Sequence, residues 1–193
     1  FTAPAVFNKQ VEGQLYFNST TNTFKETVKD PTAGTWASSG GLNENRATCG
    51  GSGVQTAAIY FGGPEPSYGG KTETYNGSSF TEVADLNQAR RNLMSAGVSN
   101  TSALGFGGYQ PPGSVTNKNE SWDGSSWTEI ADLNTARSNG NGAGIQTSAI
   151  LMGGSPTATP AHTLVELWDG SSWTETTEMN TPRIQGGGAG ADN

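Results

Sequence analysis

Apolar residues in this chain fall into short runs that end on paired glycines, and elsewhere they alternate with threonine and glutamate. Residues 56–61 run into Gly62-Gly63, and the same arrangement returns before Gly107-Gly108 and before Gly153-Gly154. A continuous apolar run of this length predicts a strand buried on both faces, and the glycine pair lets the backbone turn without a Cβ penalty. A strand of small residues precedes each run, reaching to about Val98 in the second copy. A third strand follows, such as 164–168, and then a fourth, such as 127–131, whose apolar residues alternate with Thr and Glu as in a half-exposed edge strand. Asn76-Gly77, Asp123-Gly124 and Asp169-Gly170 join third to fourth strands, and such pairs favour the positive φ angles of a tight hairpin turn.

This set of elements is written several times over. Glu166-Leu-Trp-Asp-Gly-Ser-Ser-Trp173 has counterparts in Glu120-Ser-Trp-Asp-Gly-Ser-Ser-Trp127 and Glu73-Thr-Tyr-Asn-Gly-Ser-Ser-Phe80. Arg46, Arg90, Arg137 and Arg183 mark a period of 44, 47 and 46 residues, and ten residues before each stands Trp36, Phe80, Trp127 or Trp173. Periods of ~40–50 residues with glycine and aromatic punctuation predict propeller blades. The expected fold is all-β, a four-bladed propeller spanning 13–193 behind an extension at 1–12. Three blades are expected at about 46–86, 90–133 and 137–179. The fourth is composite: residues 14–18, 23–29 and 35–41 supply its second to fourth strands and 183–190 its first. Closing the ring from both chain ends would leave no open lateral edge. The alternative is a piece of a longer array.

Gly153-Gly154, Glu166, Trp168, Trp173, Met179, Pro182 and Arg183 stand in the order of the kelch repeat, and the copy around Leu133 and Arg137 follows it closely. The chain therefore resembles kelch-like propellers over roughly residues 36 to 190. It departs from eukaryotic kelch repeats in its short Asp-Gly-Ser-Ser turn. That turn, with the Asn-Thr-Ala-Arg and Gln-Thr-Ser-Ala cassettes, resembles repeats in structural proteins of tailed bacteriophages, marine ones in particular. Residues 13–27, an apolar strand and an Asn-Ser-Thr turn, are similar to a hairpin of phage tail-fibre proteins. The resemblance implies a non-enzymatic virion protein, of a tail fibre, tail or capsid decoration, with a role in host attachment. It implies other virion proteins and a host surface glycan or protein as partners, self-association, and a virion, hence extracellular, location. The opposing class is a secreted or cell-surface carbohydrate- or protein-binding module. An intracellular kelch adaptor ranks below both.

Composition narrows the chemistry. Hydrophobic residues make up 32% and glycine numbers 28 in 193 residues, material for turns and strands rather than helices. A formal net charge of -7 without a basic run argues against a nucleic-acid partner. The longest apolar run is far short of the ~20 residues of a membrane helix. The single Cys49 forms no intramolecular disulfide and reads as structural. With His162 as the only histidine, a histidine metal cluster or a Ser-His-Asp triad lacks partners, so no catalytic residue, metal or cofactor is expected. The glutamates at 73, 120 and 166 recur at equal positions and are expected to bridge to the repeated arginines. A catalytic pair would break that symmetry.

What remains is a surface. The loops 64–71, 109–118 and 155–163 differ among copies while the frame repeats, and recognition concentrates in variable loops on a rigid scaffold. Tyr68, Tyr109, Gln110 and His162 are the residues there expected to stack on a sugar or dock a protein.

Overall fold

The structure, a computed structural model, describes residues 15–18, 23–26, 38–63, 69–156 and 161–190. The chain divides into two compact units, 1–38 and 39–193. In the first, β1 (Leu15–Asn18) and β2 (Thr23–Glu26) form an antiparallel hairpin pairing Leu15 with Glu26 and Asn18 with Thr23.

The second unit contains three four-stranded antiparallel sheets, each a meander. The first holds β3 (Gly50–Val54), β4 (Ala57–Phe61), β5 (Thr72–Tyr75) and β6 (Phe80–Val83). The second holds β7 (Met94–Ser99), β8 (Ser102–Phe106), β11 (Asn119–Trp122) and β12 (Trp127–Ile130), with a small hairpin of β9 (Tyr109–Gln110) and β10 (Ser114–Val115) inserted after β8. The third holds β13 (Asn141–Ile145), β14 (Ser148–Met152), β15 (Val165–Trp168) and β16 (Trp173–Glu175). The described elements are all strands, as expected. Each four-stranded sheet falls within one of the three expected intervals.

The glycine pairs behave as their chemistry requires: Gly107 and Gly108, for example, have φ of 61° and 100°. An added Cβ on Gly107 would meet the Arg137 carbonyl at 2.4 Å, so close approach as well as φ demands glycine there. The third-to-fourth-strand turns are wider than the Asn-Gly and Asp-Gly pairs predict. Trp122 pairs with Trp127, so four residues lie between them, and only the glycine has positive φ. The Asp123 carboxylate accounts for the extra width by accepting from the Ser125 and Ser126 N–H groups, both at 2.8 Å. Asp169 does the same for Ser171 and Ser172.

The core lies between sheets. Strand alternation sends Ile59 and Phe61 to one face of the first sheet, where they meet Ala103, Trp122 and Trp127 of the second. Leu104 and Phe106, at the same repeat positions, meet Ala149, Trp168 and Trp173 of the third. The ring pairs repeat too: Phe61 and Trp127 lie 4.6 Å apart at 63°, Phe106 and Trp173 4.9 Å apart at 60°. Leu86 and Leu133, on the segments crossing between sheets, complete the two clusters.

The expected ion pairs are present. Arg46 reaches Glu73 at 2.5 Å, Arg90 reaches Glu120 at 2.7 Å and Arg137 reaches Glu166 at 2.8 Å, with side chains at most 2% exposed. The other oxygen of each glutamate accepts from an asparagine three residues before the arginine, Asn43, Asn87 or Asn134, through both its backbone N–H and its side-chain amide. Burial lowers the pKa of the Arg90 and Arg137 guanidinium groups, and the facing glutamates oppose that shift.

Two expected strands do not form among the described residues. Residues 38–41 of the span 35–41 have no strand pairing, 35–37 lying outside the described residues. Residues 183–190 form only an isolated bridge between Arg183 and His162. Glycine at 186, 187, 188 and 190 supplies no side chains to pack, and among the described residues no ladder partner runs beside it, so extended backbone there gains nothing over an open path.

Candidate functional site

Two positions after each repeat arginine the backbone turns left-handed, at Thr48 (φ 54°), Asn92 (φ 53°), Asn139 (φ 57°) and Gln185 (φ 54°). Asparagine accepts this conformation more readily than most residues. Each of the last three is tied to the one before. Asn92 N–H donates to the Thr48 carbonyl at 2.7 Å, Asn139 N–H to Asn92 at 3.1 Å, and Gln185 N–H to Asn139 at 2.8 Å. Asn92 Nδ2 adds a side-chain bond to Asn139 Oδ1 at 2.7 Å. With Cys49 and Leu93 these four residues line a cavity of about 200 Å³.

A larger cavity of about 460 Å³ also touches Leu93 and lies between the inner strands β3, β7 and β13 and the segment 186–190. Its walls are mostly glycine, alanine and serine because backbones approach closely here. A Cβ on Gly142 would sit 2.3 Å from the Ser95 carbonyl, and one on Gly188 would sit 2.3 Å from that of Gly142. Ser95 shows how the walls are satisfied: its hydroxyl accepts from Gly51 N–H at 3.1 Å and donates to the Gly51 carbonyl at 2.8 Å. Ser52 Oγ and Asn141 Oδ1, by contrast, have no partner among the described residues.

Among the described residues that line the two cavities, Cys49 is the sole ionisable side chain. Burial pushes its thiol up, and Sγ donates to the carbonyls of Ala47 at 3.1 Å and Gly62 at 3.2 Å. Burial and the neighbouring thiol push the Tyr60 hydroxyl up to about 12. Among the described residues no group of three His, Cys, Asp or Glu side chains is placed to hold a metal.

The residues singled out for recognition are only partly brought together. Tyr68 lies outside the described residues. Tyr109 and Gln110 form β9, where Tyr109 exchanges backbone hydrogen bonds with Arg91 at 3.0 and 2.8 Å and the Arg91 guanidinium lies 6.0 Å from the ring centroid. Since Arg91 adjoins Asn92, this hairpin flanks the smaller cavity. His162 belongs to the next copy's loop, donating its N–H to the Gly154 carbonyl at 2.8 Å and accepting from Arg183 N–H at 3.3 Å. All three are half-buried. The only mark the left-handed residues leave in the sequence is a polar residue two places after each arginine.

No protein-family model matches the chain, and no curated protein sequence matches it.

Proposed function

We propose that the chain is a closed four-bladed kelch-like propeller that serves, without catalysis, as a structural and host-recognition component of a tailed-phage particle. The observation that carries the reading is the pairing of a repeated buried frame with loops of dissimilar sequence. The Arg-Glu-Asn sets and aromatic pairs recur at each described sheet junction. The segments following the glycine pairs differ in length and sequence. A rigid frame with freely varied loops suits recognition and needs no reaction centre.

Ring closure is supported by unmet positions at the third-sheet end of the series. Ile150 and Met152 stand where Ile59 and Phe61 stand in the first sheet, yet they are half-buried while Ile59 and Phe61 are at most 1% exposed. Arg183 stands where three buried arginines stand, yet it is exposed. A fourth sheet carrying Trp36 at the position of Trp127 and Trp173 would supply what Met152 lacks. The four residues around the smaller cavity also favour fourfold repetition, since Thr48 enters that series only as acceptor and Gln185 only as donor.

Two experiments test this. Peptide mass spectrometry of purified tailed-phage particles encoding the chain is expected to find it in the virion, and its absence from them overturns the functional reading. Nuclear Overhauser contacts between the Trp36 indole and the Met152 methyl are expected in the folded protein, and a well-dispersed spectrum without them overturns closure.

A further inference from the structure

We propose that the turn at Asn76-Gly77 is a self-modification site, at which the Gly77 nitrogen attacks the Asn76 carboxamide and water completes its conversion to a carboxylate. Attack is least hindered when glycine follows asparagine, because no side chain stands beside the attacking nitrogen. The chain holds three such pairs, beginning at Asn76, Asn139 and Asn141. The fold sets the first apart. Asn76 and Gly77 are both exposed, in the turn between the paired residues Tyr75 and Phe80. Among the described residues the Gly77 N–H has no hydrogen-bond partner, so no bond within the protein has to break before it loses its proton. Asn76 Oδ1 accepts from the N–H groups of Ser78 and Ser79 at 2.9 and 3.0 Å. Those donors already face the oxygen on which negative charge develops during attack, as the donors of an oxyanion hole do.

The other two pairs are held. Asn139 Oδ1 accepts from Asn92 Nδ2 at 2.7 Å, its N–H donates to the Asn92 carbonyl, and its own carbonyl accepts from Gln185 N–H. Asn141 is 7% exposed and pairs with Met152 in the β13–β14 ladder, while Gly142 lies against the Ser95 carbonyl. Cyclisation at either requires local opening first.

The bonds balance with water as the sole co-reactant. Gly77 N loses its proton to solvent base and bonds to Asn76 Cγ. The Cγ–Nδ2 bond then breaks, and Nδ2 takes up a proton and leaves as ammonia. Water opens the resulting cyclic imide at either of its C–N bonds. Opening at Cγ gives aspartate on the original backbone. Opening at the backbone carbonyl routes the chain through Cγ and lengthens it by one atom. The first product suits the turn, since Asp123 and Asp169 occupy the same position and accept from the following serine N–H groups at 2.8 Å. The second shifts the Tyr75 and Phe80 rings, 4.8 Å apart, out of register. This inference depends neither on a virion role nor on ring closure.

The test is prolonged incubation of the folded full chain in mildly alkaline buffer, followed by peptide mapping with mass spectrometry. Asn76 is expected to convert at least about tenfold faster than Asn139 or Asn141, whose reaction waits on opening of the sheet. In urea the three are expected to react within about threefold of one another, because only the shared Asn-Gly context then acts. Asn76→Gln, whose longer side chain closes the imide ring poorly, is expected to abolish acid formation at that position. The converted protein is expected to show a new carboxyl at position 76 that titrates below the usual aspartate range. The proposal is overturned if Asn76 stays intact in the folded chain, or if the three pairs convert there at equal rates. Acid formation at position 76 that is undiminished in Asn76→Gln overturns it too.

Discussion

Arg90 and Glu120 meet at 2.7 Å with both side chains fully buried. The guanidinium also donates to the carbonyls of Gly105, Gly107 and Lys118, so its charge is matched by oxygen on several sides. Because the arginine lies on the segment crossing from the first sheet and the glutamate on β11, the pair fixes where that segment enters the second sheet. Glu120→Ala, which leaves the cation buried and unmatched, is expected to cost about 3–5 kcal/mol. Arg90→Met with Glu120→Leu is expected to cost much less than the single change, because no charge remains inside. Urea denaturation of the two variants checks the difference.

The indole hydrogen bonds distinguish the two junctions. Trp127 Nε1 donates to Thr72 Oγ1 at 3.0 Å, whereas Trp173 Nε1 and Asn119 Oδ1 both lack partners among the described residues, Asn119 being Thr72's counterpart in the repeat. Thr72→Val is expected to cost about 1–3 kcal/mol by stranding the Trp127 N–H. Asn119→Thr, copying the first junction into the second, is expected to gain about 1 kcal/mol despite losing the amide bond to the Ala131 carbonyl. Thermal melting and the Trp173 indole N–H shift report the two outcomes.

The Asp123 and Asp169 carboxyls are held down to about 2, chiefly by hydrogen bonds from the serine N–H and O–H groups that follow them. A depressed carboxyl contributes stability that is present above its unfolded value near 3.8 and is lost as pH falls towards 2. Carboxyl carbon NMR titration is expected to give midpoints near 2 for both residues. Asn76→Asp is expected to bring a third carboxyl with a similarly low midpoint, because Asn76 Oδ1 already accepts from Ser78 and Ser79 N–H.

Glycine at 142 is required by proximity. An added methyl would meet the Ser95 carbonyl at 2.3 Å and the Phe106 ring at 2.8 Å, pushing β13 from β7. Gly142→Ala is expected to lower stability by about 1–3 kcal/mol, as overpacking does. Gly41→Ala, where nothing lies within 4 Å, is expected to leave stability nearly unchanged and serves as the control.

The sheets and buried ion pairs were legible because each leaves a local signature: apolar runs before paired glycines, aromatics flanking an Asx-Gly turn, and Glu and Arg recurring in step. The series Thr48, Asn92, Asn139, Gln185 was not, because its hydrogen bonds run between copies of the repeat. In sequence these residues look like ordinary polar loop. Residues 183–190 align with a strand without forming one. Alignment carries composition but not the neighbouring ladder that holds a glycine-rich segment extended. Tyr109, Gln110 and His162 shared only loop membership, which does not determine whether side chains converge.

Every strand of the three large sheets pairs with its sequence neighbours, the one interruption being the hairpin after β8. Most strand pairing is therefore short in contour, unlike that of β-sandwiches, whose distant pairings slow their folding. As the chain leaves a ribosome, β3 to β6 can associate before β7 exists. Phe61 then waits as a landing surface for Trp127, and Phe106 for Trp173. Such growth from one end favours co-translational assembly over a single global collapse.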